Sequence, residues 1–159
     1  MDKLNVAGIM DESIVDGEGI RLAVFLQGCP HHCKGCQNPE TWNTDKLSLL
    51  MTVDEIMKKY DGNPLLNGIT FSGGEPFIQA DKLIPLAEKV HKAGGNVWCY
   101  TGYTLDELRA SSEASELLNH IDVLVDGPYI EKERDLTLKF RGSKNQRIWK
   151  NEGETWIEK

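Results

Sequence analysis

At 159 residues the chain has the length of one domain with a single sizeable core, and residues 1–159 are read as such. A net charge of −7 argues against a nucleic-acid or anionic-membrane binder. No apolar run approaches membrane-spanning length, and Met1-Asp-Lys-Leu-Asn-Val-Ala-Gly8 lacks a signal pattern. The expected setting is therefore the reducing cytoplasm, where cysteines stay as thiols.

Arg21-Leu-Ala-Val-Phe-Leu26 reads as a buried strand that runs directly into Gly28-Cys-Pro-His-His-Cys-Lys-Gly-Cys36. Cys29, Cys33 and Cys36 thus share one short loop, and with Cys99 far along the chain they make a poor disulfide framework. Three thiolates are one short of a closed zinc site and of the usual four-cysteine cluster, so a metal held here keeps one position open. His31 and His32 are expected to be solvated loop residues. Thr52-Val-Asp-Glu55 is a capping box that starts a helix through about Tyr60. Gly68-Ile-Thr-Phe-Ser72 is the next strand and ends at Gly73-Gly74. Asp81 to Ala93 carries helical spacing, with Pro85 expected in the first turn or so and Gly94-Gly95 as the stop. Asn96-Val-Trp-Cys-Tyr100 is a third strand, with Cys99 as a core residue. A second capping box at Thr104-Leu-Asp-Glu107 and a short helix over Ser115 to Asn119 follow. Ile121-Asp-Val-Leu-Val125 is a fourth strand, closing at Asp126-Gly-Pro128.

Strands alternating with helices predict an α/β fold with a mostly parallel sheet and right-handed crossovers. A complete eight-unit barrel needs roughly 200 residues or more. The four or five units available predict an open, partial β/α barrel. In such folds ligands gather at the carboxyl ends of the strands. Those ends carry Gly28-Cys29, Ser72-Gly73-Gly74-Glu75-Pro76, Tyr100-Thr101-Gly102-Tyr103 and Asp126-Gly127-Pro128. Gly73-Gly74 reads either as a plain turn or as backbone bared for a ligand, with the Glu75 carboxylate accepting from an amino group.

Cys29-x3-Cys33-x2-Cys36, followed about forty residues later by a strand ending in Gly-Gly-Glu-Pro, resembles the radical S-adenosylmethionine (SAM) superfamily. The resemblance implies a 4Fe-4S cluster held by Cys29, Cys33 and Cys36, with SAM on the open iron. It also implies cofactor contacts from Gly35, Gln37, Ser72, Gly73, Gly74, Glu75, Thr101 and Asp126, and no conventional acid–base residue. Many members have an aromatic residue where Gly35 stands, and many activases a histidine where Gln37 stands, which leaves backbone contacts to adenine at both. Asp126 is read evenly as a SAM or cation contact and as the cap of the following turn.

Val15-Asp-Gly-Glu-Gly-Ile-Arg21 and Gln37-Asn-Pro-Glu-Thr-Trp42 resemble the glycyl-radical-enzyme activases. Tyr100-Thr-Gly-Tyr103, Val125-Asp-Gly-Pro128 and Phe140-Arg-Gly-Ser-Lys-Asn-Gln-Arg-Ile148 are similar to the branch acting on anaerobic (class III) ribonucleoside-triphosphate reductase. That branch implies reductive cleavage of SAM, a glycyl radical on the reductase, and an external low-potential electron donor such as flavodoxin or ferredoxin. The rival readings are a pyruvate formate-lyase-type activase, a 7-carboxy-7-deazaguanine synthase-like enzyme, and a zinc-binding or electron-transfer module. Lys139 to Lys150, with five basic and no acidic residues, reads as a partner-docking or SAM-closing segment.

Overall fold

The computed structural model describes residues 3–31, 49–135, 137–153 and 155–159. Cys33, Gly35, Cys36 and Gln37, together with His32, lie outside the described residues. The strands are β1 (Leu4–Ser13), β2 (Arg21–Leu26), β3 (Leu49–Met51), β4 (Gly68–Gly73), β5 (Asn96–Tyr100), β6 (Val123–Asp126), β7 (Arg147–Asn151) and β8 (Trp156–Glu158). The helices are α1 (Val53–Asp61), α2 (Ala80–Lys92), α3 (Leu105–Arg109) and α4 (Ser112–Leu118).

The strands form one mixed sheet in the order β3-β1-β2-β4-β5-β6-β7-β8. Its centre, β2-β4-β5-β6, is parallel. Antiparallel strands flank that centre on both sides. The α/β reading with a parallel centre therefore holds. Among the described residues no pairing joins the outermost strands β3 and β8, so the sheet is open. The flanking strands went unread because they are short or carry mixed polarity; Met10 of β1 and Leu49 of β3 are exposed.

Strand alternation sorts the core. Leu22, Val24 and Leu26 of β2, Ile69 and Phe71 of β4, Val97 and Cys99 of β5, and Leu124 of β6 share one cluster with the buried faces of the helices. The alternate residues of the same strands, including Thr70, Trp98, Tyr100, Val123 and Val125, look the other way, and Trp98, Val123 and Val125 form a second cluster. Cys99 is fully buried, as its apolar context predicts, and burial pushes its thiol pKa well up.

Both capping boxes are present. Thr52 Oγ1 accepts from Glu55 N while Thr52 N donates to the Glu55 carboxylate, and Thr104 and Glu107 repeat the exchange at α3. Pro85 corrects one expectation: α2 begins at Ala80, so the proline sits in its second turn. It lies on the exposed side, where water can reach the carbonyl left without a backbone donor.

Candidate active site at the strand ends

The carboxyl ends of the four parallel strands open into one cavity of about 780 Å³. Cys29, Ser72, Gly73, Gly74 and Thr101 line its strand-end wall, so five of the residues singled out from sequence meet there. Residues 137–142 and Ile14, Val15 and Asp16 also line it.

Backbone geometry fixes how the cysteine loop begins. β2 and β4 pair in register through Leu26 and Gly73, and the pairing continues past the strands. Gly74 N donates to Leu26 O at 2.8 Å and Glu75 N donates to Gly28 O at 2.7 Å. This close approach requires the two glycines. Gly73 has φ +92, and a Cβ on Gly74 would stand 2.2 Å from the Gly28 carbonyl oxygen. Cys29 follows directly and is buried at the cavity wall.

Glu75 and Asp126, read respectively as a ligand contact and as either a ligand contact or a turn cap, lie just behind the strand-end residues. Neither lines the cavity, and both are fully buried beneath its wall. The Glu75 carboxylate accepts from Thr101 Oγ1 (2.8 Å), Gly102 N (2.8 Å), Phe77 N (3.2 Å) and His31 Nε2 (2.7 Å). Asp126 accepts from Leu105 N at the start of α3 and from the Arg147 guanidinium. Protein donors thus occupy each carboxyl group, as burial of a polar group requires. His31, expected to be solvated, is instead hydrogen-bonded inward to Glu75, with its side chain 16% exposed.

Three further side chains, none of them singled out as a site residue from sequence, shape the site. Arg21, at the start of an apolar run and at the amino end of β2, is fully buried. Its guanidinium donates to Thr70 Oγ1 (2.7 Å) and to the carbonyls of Glu18 (2.9 Å), Ile69 (2.8 Å) and Asn96 (3.1 Å). Burial draws its pKa down to about 10. Thr70 Oγ1 in turn donates to the Asp16 carbonyl at 2.6 Å, so Arg21 is tied to the segment that lines the cavity at Ile14 to Asp16. Phe140 lines the cavity, adopts φ +64 and sets its ring edge-on to Trp98 at 5.2 Å. Tyr100 lines the cavity, and its buried hydroxyl has no partner among the described residues. Burial, reinforced by the Asp16 charge, pushes that phenol far up, so it stays protonated. The alternation of Arg21 and Tyr100 with core-facing neighbours is the one sequence signal that places them on the inner face.

A soft cysteine sulfur beside the bared backbone of Gly73 and Gly74, in one cavity, fits an iron–sulfur cluster next to a polar ligand. Among the described residues no three His, Cys, Asp or Glu side chains converge as a metal set; Cys33 and Cys36 lie outside them. No helix among the described residues is long and apolar enough to cross a membrane.

A family model described as "4Fe-4S single cluster domain" matches residues 15–149. The anaerobic ribonucleoside-triphosphate reductase-activating protein of Haemophilus influenzae is 37% identical over 145 residues, covering 85% of this chain and 90% of that protein. The protein of the same name from enterobacteria phage T4 is 31% identical over 159 residues, covering 96% of this chain and 98% of its own. That of Escherichia coli K12 is 34% identical over 140 residues, covering 84% and 90%. Among solved structures, QueE from Escherichia coli aligns with a TM-score of 0.47 and 21% identity over 65% of this chain and 53% of that one. The chain belongs to the single-cluster 4Fe-4S family and, within it, to the anaerobic ribonucleoside-triphosphate reductase-activating proteins.

Proposed function

We propose that this chain activates an anaerobic ribonucleoside-triphosphate reductase by reductive cleavage of SAM at a 4Fe-4S cluster, leaving a glycyl radical on the reductase. The carrying observation is the meeting of Cys29 with Ser72, Gly73, Gly74 and Thr101 around one cavity at the strand ends. Cys29, Cys33 and Cys36 hold the cluster. Ser72, Gly73, Gly74 and Thr101 border the SAM position, and Gly35 and Gln37 are assigned to SAM by the family motif alone. A cluster held there would supply the electron for SAM cleavage, with a low-potential donor such as flavodoxin or ferredoxin as its reductant.

The protein's own part is to bind, orient and shield. Glu75 and Asp126 act from beneath the wall: the first holds the β4 and β5 loops together, the second holds β6 to β7 and α3. The apolar inner face around Trp98, Val125 and Phe140 excludes water from the space behind the wall. An open sheet leaves a side through which a polypeptide segment can enter. The working unit is the whole chain as one radical SAM domain, in the cytoplasm.

Anaerobic reconstitution tests the reading. Wild-type chain should take up about four iron atoms and cleave SAM when reduced, and Cys33→Ala should lose both. A colourless chain that binds zinc and no iron would overturn it.

A further inference from the structure

On the reading that Cys29 begins a cluster-holding loop, that loop is gripped on both sides of the cysteine by one residue. Before Cys29, the Gly28 carbonyl accepts from the Glu75 backbone N–H at 2.7 Å. After it, His31 Nε2 lies 2.7 Å from Glu75 Oε1. The same oxygen accepts from Gly102 N at 2.8 Å, so it is a site for donors, and the imidazole N–H at Nε2 is the matching partner.

The group that His31 grips is itself immobile. Glu75 is fully buried, and its two oxygens also accept from Thr101 Oγ1, Gly102 N and Phe77 N, which come from β5's end and from the turn after Glu75. The space for the imidazole is equally defined. A Cβ on Gly102 would come within 2.5 Å of His31 Cδ2, and the Tyr103 ring meets the imidazole edge-on at 4.5 Å. His31 therefore docks in a seat built by the β5 loop and fastened to the β4 loop.

We propose that His31 is a positioning residue, whose hydrogen bond to Glu75 holds the Cys29 loop in the geometry that retains the cluster. Its loss should be felt by the loop and hardly at all by the fold. With His31 removed, the buried carboxylate keeps its other donors, and water can reach the vacated place, because the imidazole is already partly exposed. Supporting groups around metal ligands commonly contribute this way, through ligand orientation and not global stability.

The test compares reconstituted wild type, His31→Ala and His31→Gln, the last restoring an N–H donor of similar reach. Measured are thermal unfolding, the EPR spectrum of the reduced cluster, and the rate of iron loss to a ferrous chelator. His31→Ala should unfold near the wild-type temperature, yet lose iron about tenfold faster with a shifted spectrum, while His31→Gln stays within about twofold of wild type. His31→Leu, close in bulk to histidine, repeats the comparison if the alanine variant is recovered poorly. Wild type that loads iron while His31→Ala releases it at the same rate would overturn the role of His31 alone. So would a glutamine variant no better than alanine. Wild type that takes up no iron would overturn the cluster reading, and this inference with it.

Discussion

Asp126 and Arg147 face each other across the β6–β7 ladder, and the guanidinium closes on the carboxylate with Nε at 3.2 Å and Nη2 at 2.9 Å. The same carboxylate takes the Leu105 N–H at 2.7 Å, so one buried acid joins β6, β7 and the start of α3. The hydrogen bond to Asp126 raises the Arg147 pKa further above its ordinary value. Arg147→Met should leave Asp126 buried with a single donor and cost about 1–3 kcal/mol in urea unfolding. Arg147→Lys should recover only part, because an ammonium does not reproduce the two-point contact. Equal urea midpoints for all three would contradict this role.

Close backbone packing at Gly74 separates steric from conformational effects. Gly74→Ala forces a Cβ toward the Gly28 carbonyl and should destabilise by about 1–3 kcal/mol, with reduced iron uptake. Gly94→Ala is the control: φ is +88 with nothing within 4 Å, so it should cost about 1–2 kcal/mol of backbone strain and leave iron uptake unchanged. Equal iron loading in the two variants would contradict the packing argument.

The two capping boxes set part of the acid limb of stability. Backbone and then side-chain hydrogen bonds from Thr52 and Thr104 hold the Glu55 and Glu107 carboxyl pKa values below the usual carboxylate value. A depressed acid contributes stability above its unfolded pKa and loses it as pH falls through the folded one. Wild type should therefore lose urea resistance below about pH 4.5, and the double variant Glu55→Gln, Glu107→Gln should lose less over that range. Parallel curves would show that these carboxylates do not contribute.

Phe140 is held in the left-handed region while its ring packs on Trp98. Truncation removes the ring contact in either small variant, so the backbone alone distinguishes them. Phe140→Gly should be more stable than Phe140→Ala by about 1 kcal/mol, the reverse of the usual order. Denaturant midpoints with alanine above glycine would contradict the φ assignment.

The parallel core was legible because strands buried on both faces read as short apolar runs, as in Arg21–Leu26 and Asn96–Tyr100. Thr52 and Thr104 announced their helices through local hydrogen-bond chemistry three residues long. The antiparallel flanks lacked such a signal; β7 was hidden inside the basic Lys139–Lys150 run. Cavity membership of Cys29, Ser72, Gly73, Gly74 and Thr101 followed from strand-end topology alone. The placement of Glu75 and Asp126 did not, because their donors come from distant segments. Thr101 lies 26 residues beyond Glu75, and Arg147 lies 21 beyond Asp126. A carboxylate at a strand end is visible in sequence, whereas the donors that fold over it are not.

Activation of the reductase is tested most directly by EPR. Reduced chain, SAM and anaerobic ribonucleoside-triphosphate reductase are mixed without oxygen and the spectrum is recorded as SAM is consumed. A glycyl-radical doublet should grow on the reductase and be absent with Cys29→Ala. Consumption of SAM by the wild-type chain with no doublet would contradict the proposed function.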